Sequence, residues 1–304
     1  MFFNRPEVTR RVIDQIRRAK PPVLFLVQDG PRLSHPGDEA LVESTRAVAE
    51  TIAWDCTIHR IYAKENLGVR KRFMTALDEV FATVDRAIIL EDDCYPDSSF
   101  FAFSDEILER FANEPRVGMV SGNNFLRGKR VSDDSYFFTP DVRIWGWGTW
   151  ARVWREFSAA EEKRVWEKAE LDRAISRLDS SPRRAAMRRM SGMLRALDTW
   201  DVSFVLHCLD RGYLNVAPAV NLVRNIGFGA DSTHTAFHSF ADDVPAEAIT
   251  FPLRHPRAIE SNPRAGHVEA SVHRALWWRF PLLHPIEFSK RVLAYLGQLN
   301  SRRG

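Results

Sequence analysis

The amino-terminal third of the chain alternates short apolar runs with segments whose apolar positions recur at helical spacing. After a strand stub at MFF, Pro6 suits a first helical turn, and Val8, Val12, Ile13 and Ile16 then share one face with arginines opposite. VLFLV, Val23 to Val27, is short, branched and apolar, which predicts a buried parallel strand ending at the turn signal QDGP. A second helix is expected from about Asp38 to Glu50. CTIHRIY supplies another strand, and Val69, Phe73, Ala76, Leu77 and Val80 keep the spacing of a third helix. AIIL follows as a strand, and three consecutive carboxylates, Glu91, Asp92 and Asp93, stand at its carboxyl end. Strand and helix in repetition predict a parallel sheet with helices on both faces. In such sheets ligands bind outside the carboxyl ends of the strands.

Beyond a further strand at Val117 to Ser121 the pattern loosens into loops rich in Asn, Gly, Asp and Trp, among them RIWGWGTWARVW, Arg143 to Trp154. Arg-rich helical stretches are expected from about Ala159 to Leu197, with their basic faces in solvent. From about Asp242 several prolines precede LWWRFPLLHPIEFSKRVLAYLG. Trp277, Trp278, Phe280 and Leu282 beside Arg279, Lys290 and Arg291 are the makings of an interfacial membrane patch. Pro281 and Pro285 are expected to interrupt any continuous amphipathic helix there, which favours packing against the main body.

Composition narrows the class without naming an activity. The chain has 304 residues, 45% hydrophobic, enough for one large α/β domain or two modest ones. Its net charge of +3 is the remainder of 43 basic and 40 acidic side chains, so no nucleic-acid-binding field is expected. Cys56, Cys94 and Cys208 lie far apart and match no zinc spacing, which fits a reducing, cytoplasmic compartment. MFFNRPEV lacks the apolar core of a signal peptide, and no run approaches the ~20 apolar residues of a membrane span.

The three acids carry the candidate chemistry. Two unit charges ~4 Å apart repel by about 4 kcal/mol at an effective dielectric of 20, so a cation is expected nearby. A solvated turn is the plain alternative. The position after a buried strand favours a divalent cation, and hard oxygen ligands suit magnesium or manganese bridging to substrate phosphates. Neither a P-loop nor a G-x-G-x-x-G fingerprint is present. The loops NRPE and QDG are instead expected at the same sheet edge as the acids, where together they can hold a nucleotide.

At these residues the sequence resembles a family. FFNRPEVTRRVIDQI, LVQDGPR, KENLGVRKRF, AIILEDDCYPDSSFF, WGWGTWARVW, TWDVSF and VNLVRNIGFGADSTHT, in this order, look like bacterial GT-A-fold glycosyltransferases of the nucleotide-diphospho-sugar type. The resemblance covers roughly residues 1–240, and a more distant similarity is to N-acetylglucosaminyltransferase I, an inverting, manganese-dependent enzyme using UDP-GlcNAc. No single motif is specific; the ordered set is. It implies an α/β fold with a GT-A-type, Rossmann-like, mixed but mainly parallel sheet flanked by helices. The nucleotide-sugar half would span about 1–122, the acceptor half about 123–240, and residues 241–304 would form an extension packed on them.

Residue by residue, the resemblance makes Asp93 a ligand of Mn2+ or Mg2+, sets Asp92 toward the ribose and sets Glu91 toward the donor sugar. Asp29 in QDG would accept from a uracil edge and Arg5 in NRP would contact the nucleotide, both chemically apt. Arg70 and Lys71 are candidates to approach the diphosphate from a helix start. Asp201 in TWD would be the base that deprotonates the acceptor hydroxyl, with Asp198 as the fallback. Trp147 and Gly148, within WGWGTW, would shape the donor-sugar pocket, although one or two of its three tryptophans are expected in the core. His234 in DSTHT would lie near the metal or diphosphate, on a loop that orders over bound nucleotide.

The implied function is an inverting, metal-dependent transfer from a UDP-sugar, UDP-GlcNAc or a related hexose donor, to a saccharide or lipid-linked saccharide in surface-glycan biosynthesis. Cytoplasmic placement follows, with peripheral contact at the inner membrane face through the carboxyl-terminal region as a variant. Two rivals remain. A metal-dependent phosphohydrolase or nucleotidyltransferase also uses strand-end acids, but the former wants Asp-x-Asp where this chain has Asn4 and Arg5. The other is a non-catalytic carbohydrate-binding protein on a transferase fold.

Overall fold

The computed structural model describes residues 1–161, 165–192, 199–227, 244–283 and 289. Its first half follows the expected order: α1 (Pro6–Ala19), β1 (Val23–Gln28), α2 (Asp38–Ala49), β2 (Thr57–Tyr62), α3 (Val69–Thr83) and β3 (Arg86–Ile89). Pro6 opens α1, where its missing N–H leaves nothing unsatisfied, and Val12 and Ile13 are buried on its inner face. The short β4 (Cys94–Pro96) leads into α4 (Ser99–Arg110) and β5 (Val117–Ser121). Asp97 accepts the Ser99 amide at 2.9 Å and its hydroxyl at 2.6 Å, holding the first turn of α4.

The second half departs from the sequence reading. Where loops were expected, β6 (Tyr136–Thr139) and β7 (Trp147–Trp150) are fully buried strands, followed by α5 (Ala151–Glu161), α6 (Lys168–Ser176) and α7 (Ser181–Ser191). The remaining elements are α8 (Asp201–Arg211), β8 (Leu214–Pro218), β9 (Val223–Asn225) and α9 (Pro263–Leu283). The main sheet has the order β3-β7-β5-β8-β6, and its pairings are antiparallel except β5 with β8. A mixed α/β architecture is therefore present, but the main sheet is mostly antiparallel rather than mainly parallel. The cause is local: β7 and β6 run back against their neighbours, while β1 and β2 form a separate parallel pair. Between β1 and β3, which are not hydrogen-bonded to each other, lies an apolar slot of about 300 Å3.

One apolar core joins these layers. Phe81, Phe100, Phe103, Trp147, Trp154, Phe157 and Phe204 are among its fully buried side chains. The α7 helix buries no residue, in keeping with a solvated basic face. Arg183 is the exception in that it enters an ion cluster with Asp141, Arg143 and Glu269, which ties α7 and α9 to the β6–β7 connection. Residues 244–262 run along the body through bonds such as Arg254 N to Ser135 Oγ (2.9 Å) and Asn262 N to Phe138 O (2.8 Å). Pro281 does not interrupt α9, which continues through it to Leu283. The side chains of Trp277, Trp278, Arg279, Phe280 and Leu282, and residues Pro285, Lys290 and Arg291, fall outside the described structure, and with them the interfacial patch. Among the described residues no helix is long and apolar enough to cross a membrane.

Candidate functional site

Three chain segments converge on the carboxyl end of β3. The first is the stretch before α1, where Phe3 and Arg5 face the acids. The second is the turn after β1, where Asp29 holds the loop that precedes α3. Its Oδ1 accepts from Gly30 N and Leu67 N, both at 2.9 Å, and its Oδ2 from Gly68 N at 3.2 Å. Gly30 permits that approach, because a Cβ there would lie 2.6 Å from the Glu65 amide nitrogen. The third is Glu91–Asp93 itself, turned by β4, whose pairing with β9 brings Ile226 N to Asp93 O at 2.8 Å. Together they enclose a cavity of about 350 Å3 lined by Phe3, Arg5, Asp29, Arg72, Phe73 and the three acids, with other neighbours.

One positive charge beside the acids comes from a side chain. The Arg5 guanidinium bridges Asp92 and Asp93: Nε donates to Asp92 Oδ2 at 3.3 Å, Nη2 to Asp92 Oδ1, and Nη2 to Asp93 Oδ2 at 3.1 Å. Burial works against the Arg5 cation, but the two carboxylates outweigh it and raise its pKa. The Asp92 carboxyl is buried and its pKa stands above the usual range because burial outweighs Arg5. Glu91 is pushed up to about 8 by burial and by the neighbouring Asp93 and Asp92 charges, so it is largely protonated at neutral pH. The amino terminus of Met1 donates to Leu90 O at 2.7 Å, and burial lowers its pKa despite the nearby acids.

These environments sort the three acids as metal ligands. Asp92 gives both oxygens to Arg5. Asp93 is bound less completely, with Oδ2 on Arg5 and Oδ1 3.7 Å from the Cys94 Sγ. No group of three or more His, Cys, Asp or Glu side chains among the described residues is arranged to hold a metal ion. The donor set thus fits a cation held by one carboxylate and completed by water and substrate phosphates, a habit of magnesium and related hard ions, and does not fit an all-protein cage. Gly227 lies over this point: a Cβ there would come within 2.7 Å of Asp93 Cβ and 2.8 Å of Arg5 Nη1.

Other expected site residues are distributed differently. Asp29 faces the cavity, but its carboxylate already accepts three backbone amides, so its structural work is to fix the loop; burial raises its pKa in spite of them. Arg70 is turned away, donating to Thr199 O at 3.1 Å and pairing with Glu161, while Lys71 is exposed, and neither lines the cavity. Trp147 does not line the cavity. It has no exposed surface, stacks on Trp200 at 5.4 Å and is core, as is Trp150, leaving only Trp145 of the three half-buried. Gly148 is buried in β7, paired with Ile88 and Val120, where a Cβ would come within 3.0 Å of Leu108 Cδ1 and 3.2 Å of the Ala87 carbonyl oxygen.

Asp201 begins α8, where its Oδ1 accepts the Val202 amide at 2.8 Å and the Thr199 hydroxyl. It does not line the cavity, but Trp200 beside it stacks at 4.9 Å on Phe73, which does. His234 and Asp198 lie outside the described residues.

The structure adds Arg72, which the sequence reading passed over for its neighbours. Arg72 is 8% exposed and lines the cavity, with Nη2 donating to Ile61 O at 3.3 Å and Nε without a hydrogen-bond partner. Burial lowers its pKa, and Asp29 and Glu79 oppose that shift. The signal was available: Arg72 falls between Val69 and Ala76 on the apolar face of α3, where a charge needs a reason. Arg32 also lines the cavity, held by Asp38 through Nε at 2.7 Å. No protein-family model matches the chain, and no curated protein matches it significantly.

Proposed function

We propose that the chain is a metal-dependent glycosyltransferase of GT-A type that binds a nucleoside-diphosphate sugar, UDP-linked, in the cavity at the end of β3. The observation that carries the reading is the meeting there of a strand-end acid cluster with the half-buried Arg5 and the buried Arg72, an arrangement suited to a diphosphate and a divalent cation together. Asp93 would hold Mn2+ or Mg2+, whose chemistry, when bound, is to neutralise charge developing on the departing diphosphate. Arg72, short of hydrogen-bond partners, would donate to the nucleotide or its phosphates, and Arg5 would share its fork between the acids and the same phosphates. Glu91 in its protonated state would donate to the donor sugar.

The acceptor hydroxyl would lose its proton to Asp201, through Oδ2, since Oδ1 is engaged by Thr199 and Val202. Support for this assignment is the Trp200–Phe73 stack, which sets the first turn of α8 against the cavity wall. The reaction is an inverting displacement onto a saccharide or lipid-linked saccharide, with residues 123–240 serving the acceptor and 241–304 as an extension.

The test is thermal stabilisation by a panel of UDP-sugars with and without Mn2+, followed by transfer assays, for the wild type, Asp93→Ala and Asp201→Asn. The reading expects stabilisation by one UDP-sugar that needs Mn2+ and is lost in Asp93→Ala, and transfer lost in Asp201→Asn with binding intact. Undiminished metal-dependent binding by Asp93→Ala would remove the metal assignment. UDP binding without transfer to any acceptor would favour the carbohydrate-binding rival.

A further inference from the structure

A cavity of about 650 Å3 opens between α7, α8 and α9, and it shares no lining residue with the cavity at the end of β3. Its inner end is the ion cluster. Asp141 and Glu269 are buried there against Arg143 and Arg183, with Arg183 Nη1 3.1 Å from Glu269 and Arg143 Nη2 3.5 Å from Asp141. Two guanidiniums meet two carboxylates, so the cluster neutralises itself and pins α7 to α9. From that pin both helices run on along the cavity. At 1.5 Å per residue, Arg189 lies about 9 Å beyond Arg183 on α7, and Arg274 about 7.5 Å beyond Glu269 on α9. Both of these arginines are exposed, which marks the open end.

The wall between the two ends is apolar. Leu178, Ala186, Met187, Val205 and Ala270 line it. Ala186, Met187 and Met190 stand three, four and seven positions after Arg183, the spacing of one helical face, yet α7 buries no residue. Its apolar stripe faces the cavity in place of a core, and two of the three side chains are methionines, which adapt to an irregular apolar ligand. At the open end the charges do not cancel. Of the four arginines of α7, Arg183 is in the pin, Arg184 donates to Ser181 Oγ at 3.0 Å and Arg188 pairs with Asp172 at 3.1 Å. Arg189 has no partner among the described residues, and neither has Arg274. We propose that the cavity binds an anionic amphiphile, a single apolar chain ending in a phosphate monoester, with the chain along Met187, Val205 and Ala270 and the phosphate between Arg189 and Arg274. A phosphate fits the pair better than a carboxylate, because its charge of about −1.5 to −2 matches two guanidiniums and its three oxygens can serve both forks. The volume falls within the roughly 300–1,000 Å3 of small-molecule sites. The inference does not depend on the reading of the acid site.

The experiment titrates n-dodecyl phosphate, kept below its micellar concentration, into the 304-residue chain by calorimetry. Dodecyltrimethylammonium and inorganic phosphate are the comparison ligands, and Arg189→Gln with Arg274→Gln, Ala186→Trp and Arg72→Gln are the variants. The wild type is expected to bind dodecyl phosphate, and the double arginine variant to bind it about tenfold or more weakly through loss of charge-assisted contacts. Ala186→Trp, which puts an indole into the cavity, is expected to abolish binding. The two arginines are exposed, so the double variant keeps the fold and decides the matter even if Ala186→Trp does not fold. Inorganic phosphate is expected to bind at least about tenfold more weakly, since it forgoes the burial of the chain. Equal binding of inorganic phosphate would show a free-phosphate site and overturn the amphiphile. Equal binding of the trimethylammonium chain, or unchanged binding by the double variant, would overturn the role of the arginines. Binding lost in Arg72→Gln but retained in the double variant would move the ligand to the end of β3 and overturn this site, as would a wild type that does not bind at all.

Discussion

Replacing Arg5 with methionine keeps most of the apolar stem and deletes the cation that Asp92 and Asp93 share. The side chain of Asp92 is 5% exposed and that of Arg5 18%, so the pair is poorly screened by water. Removing one partner of a buried ion pair typically costs about 3–5 kcal/mol, because the other charge is left uncompensated. The repulsion between two carboxylates ~4 Å apart, about 4 kcal/mol at a dielectric of 20, sets a similar scale. Proton uptake by Asp92 relieves part of it, so a loss of about 3 kcal/mol is expected at neutral pH in EDTA. Urea denaturation followed by tryptophan fluorescence measures it. Arg5→Met combined with Asp92→Asn should recover much of the loss, since the double variant lacks the orphaned buried charge. Millimolar Mn2+ should stabilise Arg5→Met more than the wild type, because the metal and Arg5 compete for the same acids. A loss under about 1 kcal/mol, or a double variant no better than the single, would refute the account of Arg5 as the cluster's counter-charge.

Other variants probe different parts of the molecule. Trp147→Ala should destabilise by about 3–5 kcal/mol in urea, while UDP affinity of the molecules that remain folded stays unchanged, because Trp147 is core. Gly227→Ala should weaken Mn2+-dependent UDP binding on the order of tenfold in calorimetry, since its methyl group displaces Asp93 or Arg5. Asp38→Asn should cost about 1–3 kcal/mol at pH 7 by weakening its bonds to Arg32. Arg32 holds the Asp38 pKa well below the usual carboxylate range, so its contribution is present above that range and lost as pH falls through it. The gap between wild type and Asp38→Asn should therefore close as the pH falls below about 4 in pH-dependent melts.

The sequence was most legible where period and punctuation agreed. From α1 to β3 each strand is a short branched run and each helix keeps an apolar face, so order and approximate bounds could be read directly. YFFT and WGTW could not be read that way. All eight of their residues are buried, which removes the alternation that marks a half-buried strand, and the glycine of WGTW reads as a loop signal. Strand direction was invisible for the same reason: a fully buried four-residue run carries no mark of which neighbour it opposes. At the site, the need for a cation beside Asp92 and Asp93 followed from electrostatics alone. That Arg5 meets it depends on a contact across 87 positions, which only the fold reveals. Arg72 was readable in principle, as a charge on an apolar helical face.

The stack that runs from Phe73 through Trp200 to Trp147 has a consequence for observation. The Trp147 and Trp200 rings are 5.4 Å apart with planes inclined by 22°, close enough for their electronic transitions to couple. One end of the row is a cavity-lining side chain, the middle is the neighbour of Asp201, and the far end is β7, an interior strand of the main sheet. The native chain thus carries a built-in optical gauge, readable by near-ultraviolet circular dichroism without a label, of how helix α3, helix α8 and the sheet sit against one another as ligands arrive.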